Sequence, residues 1–316
     1  MSARPPERPS VRSLAAGSRP EAIMRTPCPI VGGAIGDALG APFETLKESD
    51  PRLISWKGGY LPTKGGYHDL EEGQWTDDTQ MQIALSGCLK EAGKYDPEVA
   101  ARHYVAWYLS GKARGIGGTT REAMERLVAG VHWSKAGVRG AVGNAPPMRA
   151  APLGAFYKDP GVAAQMARLD ATITHFNREV EEAAAAMAMA VSFLAQGHPK
   201  EKLAGFLSGG LADSLVRERI ARTPAGWKIA KETYAADARA WSIVPFAVAC
   251  FVHTSSFEEA VMAAIRAGGD TDTAASMTGV MAGAYYGIEG IPSDLILGLE
   301  DAGLLREIET SVLKLG

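Results

Sequence analysis

Two acidic clusters that lie far apart in the chain have the residue types of a metal site. Residues 75–79 read Trp-Thr-Asp-Asp-Thr, and residues 269–273 read Gly-Asp-Thr-Asp-Thr. Each cluster combines two carboxylates with hydroxyl side chains, which is the all-oxygen environment that a hard divalent cation such as Mg2+ prefers. Four carboxylates brought together without cations would repel each other and take up protons. If the clusters meet, we expect metal between them.

Helix capping is the alternative explanation for each cluster. Thr76 or Asp77 could cap a following helix, and residues 270–273 could cap another, because Thr and Asp accept hydrogen bonds from free N–H groups in a first turn. Two acids with flanking threonines at a helix start, where the dipole keeps carboxylates ionised, favour metal binding. A calcium loop of the EF-hand type is excluded, since its fifth and twelfth positions from Asp270 would be Ala274 and Met281.

Composition describes a soluble globular protein. The chain has 316 residues, of which 46% are hydrophobic and 22% charged, and its net charge is −3. This balance signals neither nucleic acid nor an anionic membrane surface. Length alone suggests about two domains. No apolar stretch reaches the roughly 20 residues of a membrane span.

Cysteine usage and the N-terminus suggest where the protein acts. Cys28, Cys88 and Cys250 form no CxxC pair, which predicts a reducing, cytoplasmic setting. Residues 1–24 are rich in Arg, Ser and Pro and are predicted to be a disordered extension before a folded part over 25–316. Either Met1 or Met24 could be the natural start. We expect a monomer.

Helical periodicity covers most of the chain. From Asp77, apolar residues recur at i, i+3, i+4, i+7 and i+8 until Gly93, which predicts an amphipathic helix. Alternating strand patterns are scarce, so the predicted fold class is all-α. Two Gly/Pro-rich stretches, 57–73 and 137–154, are predicted to be long and functional loops. Further helices are predicted over 97–109, 120–131, 161–171, 178–196, 200–222, 224–235, 242–252, 256–267, 271–286, 293–299 and 302–315.

Small residues repeat every four positions in two of the helical segments. Gly32, Gly36 and Gly40 form one stripe, and Ala275, Gly279, Gly283 and Gly287 form the other. An interior helical Gly costs about 1 kcal/mol relative to Ala, so close helix packing must compensate. The stripes predict tightly packed, rigid helices beside Asp37 and the second acidic cluster.

Six motifs in order resemble the ADP-ribosylglycohydrolase family, which includes dinitrogenase-reductase-activating glycohydrolases and ADP-ribosyl-acceptor hydrolases. The similarity covers roughly residues 28 to 290. It implies one all-α domain, a compact orthogonal helical bundle, that holds two Mg2+ or Mn2+ ions and removes ADP-ribose from a modified acceptor. The motifs are GDALGAPFE (36–44), WTDDT (75–79), IGGTT (116–120), GNAPPMR (143–149), TH (174–175) and GGDTDT (268–273).

By position, the resemblance implies a dimetal hydrolase site. Two cations about 3.5–4 Å apart could grip the vicinal hydroxyls of a ribose while polarising a bound water. Glycoside hydrolysis also requires groups that protonate the leaving atom and activate water. Glu44 is the implied acid/base or water-positioning residue, with Asp77, Asp78 or Asp272 as its partner. The implied metal ligands are Thr76, Asp77, Asp78, Asp270, Asp272 and Thr273.

The resemblance also implies substrate-binding loops, in which backbone N–H groups cradle a pyrophosphate. Arg149 could pair with a phosphate or form a structural ion pair, and the sequence leaves both open. Asp37 is either a supporting residue of the site or a helix-pairing contact. Outside its motif, Glu44 would be interpreted as a solvated glutamate. The implied substrate contacts are Gly117, Gly118, Thr119, Gly143, Asn144, Met148, Arg149 and His175.

Two departures from the family pattern concern the acceptor. Many relatives carry an acid directly before the Ile-Gly of the third motif, where this chain has Gly115, and Pro146-Pro147 removes two backbone donors from the next loop. The favoured function is cleavage of the N-glycosidic bond between ADP-ribose and protein arginine. Alternatives are hydrolysis of serine-linked or nucleic-acid-linked ADP-ribose, a non-catalytic ADP-ribose-binding protein, and an unrelated Mg2+-dependent phosphohydrolase.

Overall fold

The computed structural model describes residues 25–64, 68–225 and 237–316. The predicted disordered extension over 1–24 lies outside the described residues, and so does most of the helix predicted over 224–235. Within the described part, helices dominate and the all-α prediction is confirmed. None of these helices is long and apolar enough to cross a membrane.

Helices make up most of the described chain, together with one short pair of strands. A two-residue strand β1 (Val138–Arg139) pairs in parallel with β2 (His175–Phe176). In chain order the α-helices are α1 (Pro29–Gly40), α2 (Pro51–Ser55), α3 (Asp77–Ala92), α4 (Pro97–Leu109), α5 (Gly118–Val128), α6 (Trp133–Ala136), α7 (Ala145–Met148), α8 (Ala151–Phe156), α9 (Pro160–Ala171), α10 (Arg178–Ala195), α11 (Leu203–Gly210), α12 (Leu215–Arg222), α13 (Ala240–Val252), α14 (Phe257–Ile265), α15 (Thr271–Tyr286), α16 (Ser293–Leu297) and α17 (Ala302–Leu315).

The single helix predicted over 200–222 is wrong. A 3-10 turn precedes α11, the chain leaves the helix after Gly210, and α12 begins anew with the Ser214 hydroxyl accepting from the Arg217 N–H at 3.1 Å. The break is tertiary in origin, because the Ala212 N–H donates to the Glu182 carboxylate on α10 at 2.9 Å rather than to a helical carbonyl. Periodicity within the segment could not reveal that partner.

The long loop predicted over 137–154 is also wrong, since it contains β1, α7 and α8. Pro146, Pro147 and Pro152 all stand in the first turns of these short helices. Proline is tolerated there because the first N–H groups of a helix have no intrahelical partner. The prolines that predicted a loop therefore lie at the starts of short helices.

Helices α1 and α15 form the centre of the fold, and their small-residue stripes face each other. A methyl group built on Gly36 would lie 2.1 Å from the carbonyl oxygen of Ala275, and one on Gly32 would lie 2.4 Å from that of Gly279. At Gly40 the corresponding distance to the Thr271 carbonyl is 2.4 Å. The two backbones are thus in direct contact, which fixes the start of α15 against the end of α1.

The opposite end of α1 is closed by the last helix. Both carboxylate oxygens of Glu309 on α17 accept hydrogen bonds, from the Ile30 and Val31 N–H groups, each at 3.0 Å. These are donors that a helix start leaves unpaired. Burial raises the pKa of Glu309 to about 8, and the two backbone bonds oppose that rise. A distant carboxylate therefore replaces the local cap that Cys28 does not provide.

We predict that Gly36→Ala lowers the free energy of unfolding by at least about 2 kcal/mol, since a methyl group would force two helix backbones apart. Gly205→Ala is the matched control: its α11 position has open space around it, so it should leave stability unchanged or raise it by up to about 1 kcal/mol. Denaturant unfolding measures both. Equal stability of the Gly36→Ala variant and the wild type would contradict the close contact.

Candidate metal centre

The two acidic clusters meet at the N-termini of α3 and α15. The Thr273 hydroxyl donates to Asp78 Oδ2 at 3.2 Å, and Thr76 Oγ1 lies 3.4 Å from the same oxygen. Asp77, Asp78 and Asp272 occupy the first turns of these helices. The positive ends of two helix dipoles therefore point at one group of carboxylates, which favours their ionised forms.

Burial and mutual repulsion act against ionisation in this cluster. Burial, followed by the charges of neighbouring carboxylates including Asp272, raises the pKa values of Asp77, Asp78 and Asp270 well above the usual range. Asp78 Oδ1 is also fully buried with no hydrogen-bond donor among the described residues. A divalent cation would satisfy that oxygen and remove the repulsion, so the residues present fit the implied metals.

Asp37 orients the first cluster from α1. Its carboxylate accepts from the N–H groups of Thr76 and Thr79, at 3.0 and 3.1 Å, and from their hydroxyls at 2.9 and 2.6 Å. Burial, then the charge of Asp272, raises the pKa of Asp37 to about 7, while these hydrogen bonds favour the charged form. The sequence left the role of Asp37 undecided, and the structure makes it the anchor of the α3 N-terminus.

Glu44 reaches the cluster because its loop is bonded to the second acidic segment. It follows a 3-10 turn at the end of α1, and the next residue, Thr45, donates its N–H to the Gly269 carbonyl at 2.8 Å. The Gly269 N–H in turn donates to the Leu46 carbonyl at 2.7 Å. Burial, then the charge of Asp272, raises the pKa of Glu44.

His68 is a site residue that the sequence reasoning missed. Its Nε2 is hydrogen-bonded to Glu44 Oε2 and lies 3.6 Å from Asp272 Oδ2. Burial lowers the pKa of His68, but hydrogen bonds and charges from Asp272 and Glu44 outweigh it and raise the pKa to about 10. These three residues form a group that could hold a metal ion. The one available signal was a histidine inside the loop over 57–73, which was predicted to be functional.

A cleft of about 270 Å³ opens above the cluster, and seven of the eight predicted substrate contacts line it. A larger cavity of about 500 Å³ lies between α3, α4 and α17, but no carboxylate among the described residues lines it. The acidic cleft is therefore the stronger candidate site of the two. The lining contacts are Gly117, Gly118, Thr119, Gly143, Asn144, Met148 and His175.

Two of these residues serve the cluster or the core as well as the cleft. The Asn144 amide donates to Asp270 Oδ2 at 2.8 Å, so it orients a predicted metal ligand. Met148 is buried, and its carbonyl accepts from the Gln82 side chain at 3.0 Å. By contrast, Gly117 and Gly118 are exposed at the start of α5, where free N–H groups face outward.

Arg149 is a correction to the predicted substrate contacts. Its side chain is fully buried and does not line the cleft. Nε donates to Asp170 Oδ2 at 2.7 Å, Nη1 donates to Thr174 Oγ1 at 2.9 Å, and the guanidinium stacks over Tyr104. Because its donors and its face are occupied by protein groups, Arg149 forms the structural ion pair that was the alternative interpretation.

That ion pair supports His175. Thr174 Oγ1, which accepts from Arg149, lies 2.9 Å from Nδ1 of His175. Burial, then the charge of Arg149, lowers the pKa of His175 to about 3, so the ring is neutral at physiological pH. A methyl group on Gly143 would lie 2.9 Å from Nε2 of His175, which places that nitrogen at the cleft wall.

Comparison with known proteins agrees with this geometry. The sequence model of the family described as ADP-ribosylglycohydrolase matches residues 29–315. An uncharacterized protein of Archaeoglobus fulgidus is 32% identical over 90% of this chain and 95% of its own. The ADP-ribosylarginine hydrolase Tri1 of Pseudomonas putida is 26% identical over 87% and 74%.

A solved structure titled ADP-ribosylglycohydrolase-related protein complex superposes with a TM-score of 0.77. It shares 31% sequence identity and covers 91% of this chain and 96% of its own. The family match over nearly the whole described chain, together with this shared helical fold, shows that the protein belongs to the ADP-ribosylglycohydrolase family.

Proposed function

We propose that the protein is a metal-dependent hydrolase that cleaves the N-glycosidic bond between ADP-ribose and arginine of a modified protein. Family membership makes it a hydrolase of N- or O-linked ADP-ribose, and the arginine acceptor is the proposal. The observation that carries it is the complete acidic cluster, with Asp77 and Asp78 facing Asp270 and Asp272 beside Glu44. A relative named for ADP-ribosylarginine supports the acceptor.

Two Mg2+ or Mn2+ ions are the proposed cofactors. The buried Asp78 oxygen without a donor and the mutually repelling carboxylates support this donor set. When bound, such a pair polarises substrate oxygens and makes a bound water more acidic. The proposed ligands are Thr76, Asp77, Asp78, Asp270, Asp272 and Thr273.

The chain's own residues supply orientation and proton transfer. Glu44 stands at the edge of the cluster with a raised pKa, so it can hold a proton for the leaving group or accept one from water. Glycoside hydrolysis requires such a carboxyl with a second carboxylate nearby, and Asp272 is close enough to raise the pKa of Glu44. The Glu44 carboxylate is also hydrogen-bonded to His68, which lines the same cleft.

The cleft walls suit the ADP part of the substrate. N–H groups at Gly117, Gly118 and Thr119 begin α5, and the helix dipole there attracts a pyrophosphate. His175 is neutral and can offer Nε2 to a sugar or base without adding charge. Ribose hydroxyls would then reach the acidic cluster below.

Metal binding should stabilise the fold measurably. We predict that millimolar Mg2+ or Mn2+ raises the Tm of metal-free protein by a few degrees, since a ligand that binds only the folded state stabilises it. Asp78→Asn should abolish the Tm increase, because a proposed ligand carboxylate loses its charge. Asp213→Asn, which changes an exposed acid on another surface, should retain it. An unchanged increase in the Asp78→Asn variant would contradict the ligand assignment.

Turnover should release free ADP-ribose from an arginine-linked substrate in the presence of Mg2+. Incubation with arginine-, serine- and nucleic-acid-linked ADP-ribose, followed by product identification, tests the acceptor. Glu44→Gln should lower kcat by about 100-fold or more with a smaller change in KM, as expected for an acid/base group. Asp272→Ala should abolish activity, while Asp213→Asn should keep it.

Several results would overturn this proposal. Release from the serine substrate alone would exclude arginine as the acceptor. Binding of ADP-ribose without release from any substrate would identify a binding protein, and release of inorganic phosphate would identify a phosphohydrolase. Full activity of the Glu44→Gln variant would remove its catalytic role.

A further inference from the structure

The backbone at His68, which lines the cleft, is hydrogen-bonded to another described residue of the segment that precedes α3. The Thr63 N–H donates to the Leu70 carbonyl at 2.9 Å, and the Leu70 N–H donates to Thr63 Oγ1 at 2.7 Å. The Thr63 hydroxyl also donates to the His68 carbonyl. Buried hydrogen bonds thus tie Thr63 to the backbone of His68 and Leu70.

The imidazole occupies space that Gly115 leaves open. A methyl group on Gly115 would lie 2.8 Å from Cε1 of His68, and the φ angle of +78° at Gly115 is itself unfavourable for other residues. A side chain at position 115 and the ring of His68 would therefore compete for one volume. The position that departs from the family pattern is the one against which this ring packs.

On the other side, Nε2 of His68 faces the carboxylates of the site. It is hydrogen-bonded to Glu44 and lies 3.6 Å from Asp272. The His68 side chain is only 7% exposed, so this hydrogen bond is shielded from water. The hydrogen bond to Glu44 occupies Nε2, so that nitrogen cannot bind a metal while the contact is intact.

We propose that His68 is a positioning residue that holds the Glu44 carboxylate at the edge of the acidic cluster, and that Gly115 is required to make room for its ring. This inference rests on the proposed function, because it assigns a task within the same reaction. His68 contacts Glu44 rather than the substrate and acts by limiting the orientations of that carboxylate.

The kinetic test separates kcat from KM. His68→Ala should lower kcat by about 10- to 100-fold, since a misplaced catalytic group costs that much, with KM changed less than about 3-fold. His68→Gln, which keeps a side-chain N–H donor, should recover part of the loss. Gly115→Ala should lower kcat at least as much, since its methyl group would displace the ring and also lie 3.0 Å from Asp77 Oδ1. His103→Ala is the matched control, because it removes a histidine that pairs with Glu91 away from the cleft.

A double-mutant cycle shows whether His68 acts through Glu44. In a Glu44→Gln background, His68→Ala should cause almost no further loss of kcat, because the two residues act as one unit. Additive losses would overturn the proposal, as would wild-type kcat in His68→Ala. Mn2+ affinity, measured by calorimetry, should stay within about 3-fold of the wild type. A parallel loss of Mn2+ affinity and kcat would make His68 a metal ligand instead.

The same double-mutant cycle can be measured as free energies of unfolding, which do not depend on turnover. The effects of His68→Ala and Glu44→Gln on stability should be non-additive, since each variant removes the same hydrogen bond. If the wild type releases no ADP-ribose from any substrate, the proposed function fails while this measurement still decides whether the pair is coupled. Additive stability effects would refute the positioning contact.

Discussion

The structure depends on one constraint, the crowding of four carboxylates, three of them buried and Asp270 half-buried, at the meeting point of two helix N-termini. Asp77, Asp78, Asp270 and Asp272 repel one another, and burial removes the water that would screen them. Two helix dipoles and the hydrogen bonds of threonines offset part of that cost. A bound cation would offset the rest, which supports the proposed metal centre.

Helix packing and buried hydrogen bonds hold the repelling carboxylates of this cluster in place. Backbone contact between α1 and α15 fixes one acidic segment, and Asp37 on α1 fixes the other through Thr76 and Thr79. The loop of Glu44 is bonded to Gly269 at the start of the second cluster. One helix thus sets the positions of both carboxylate pairs and of the proposed acid/base group, because all three supports begin on it.

Local residue patterns predicted the structure correctly wherever the interacting residues are near one another in the sequence. Helices α3 and α15 begin where the clusters predict, because caps, first-turn acids and apolar periodicity are local signals. His68, Arg149 and the break before α12 depend on partners far along the chain, which no local pattern contains. The isolated motif match misled at Arg149, whose donors face Asp170 in the core.

The most direct test of the account is the anomalous scattering of Mn2+ in crystals of the protein. The account predicts two peaks in the cleft, about 3.5–4 Å apart, bounded by Asp77 and Asp78 on one side and by Asp270 and Asp272 on the other. Both peaks should disappear or weaken strongly in Asp78→Asn crystals. No peak at saturating Mn2+, or peaks confined to other parts of the surface, would contradict the dimetal centre.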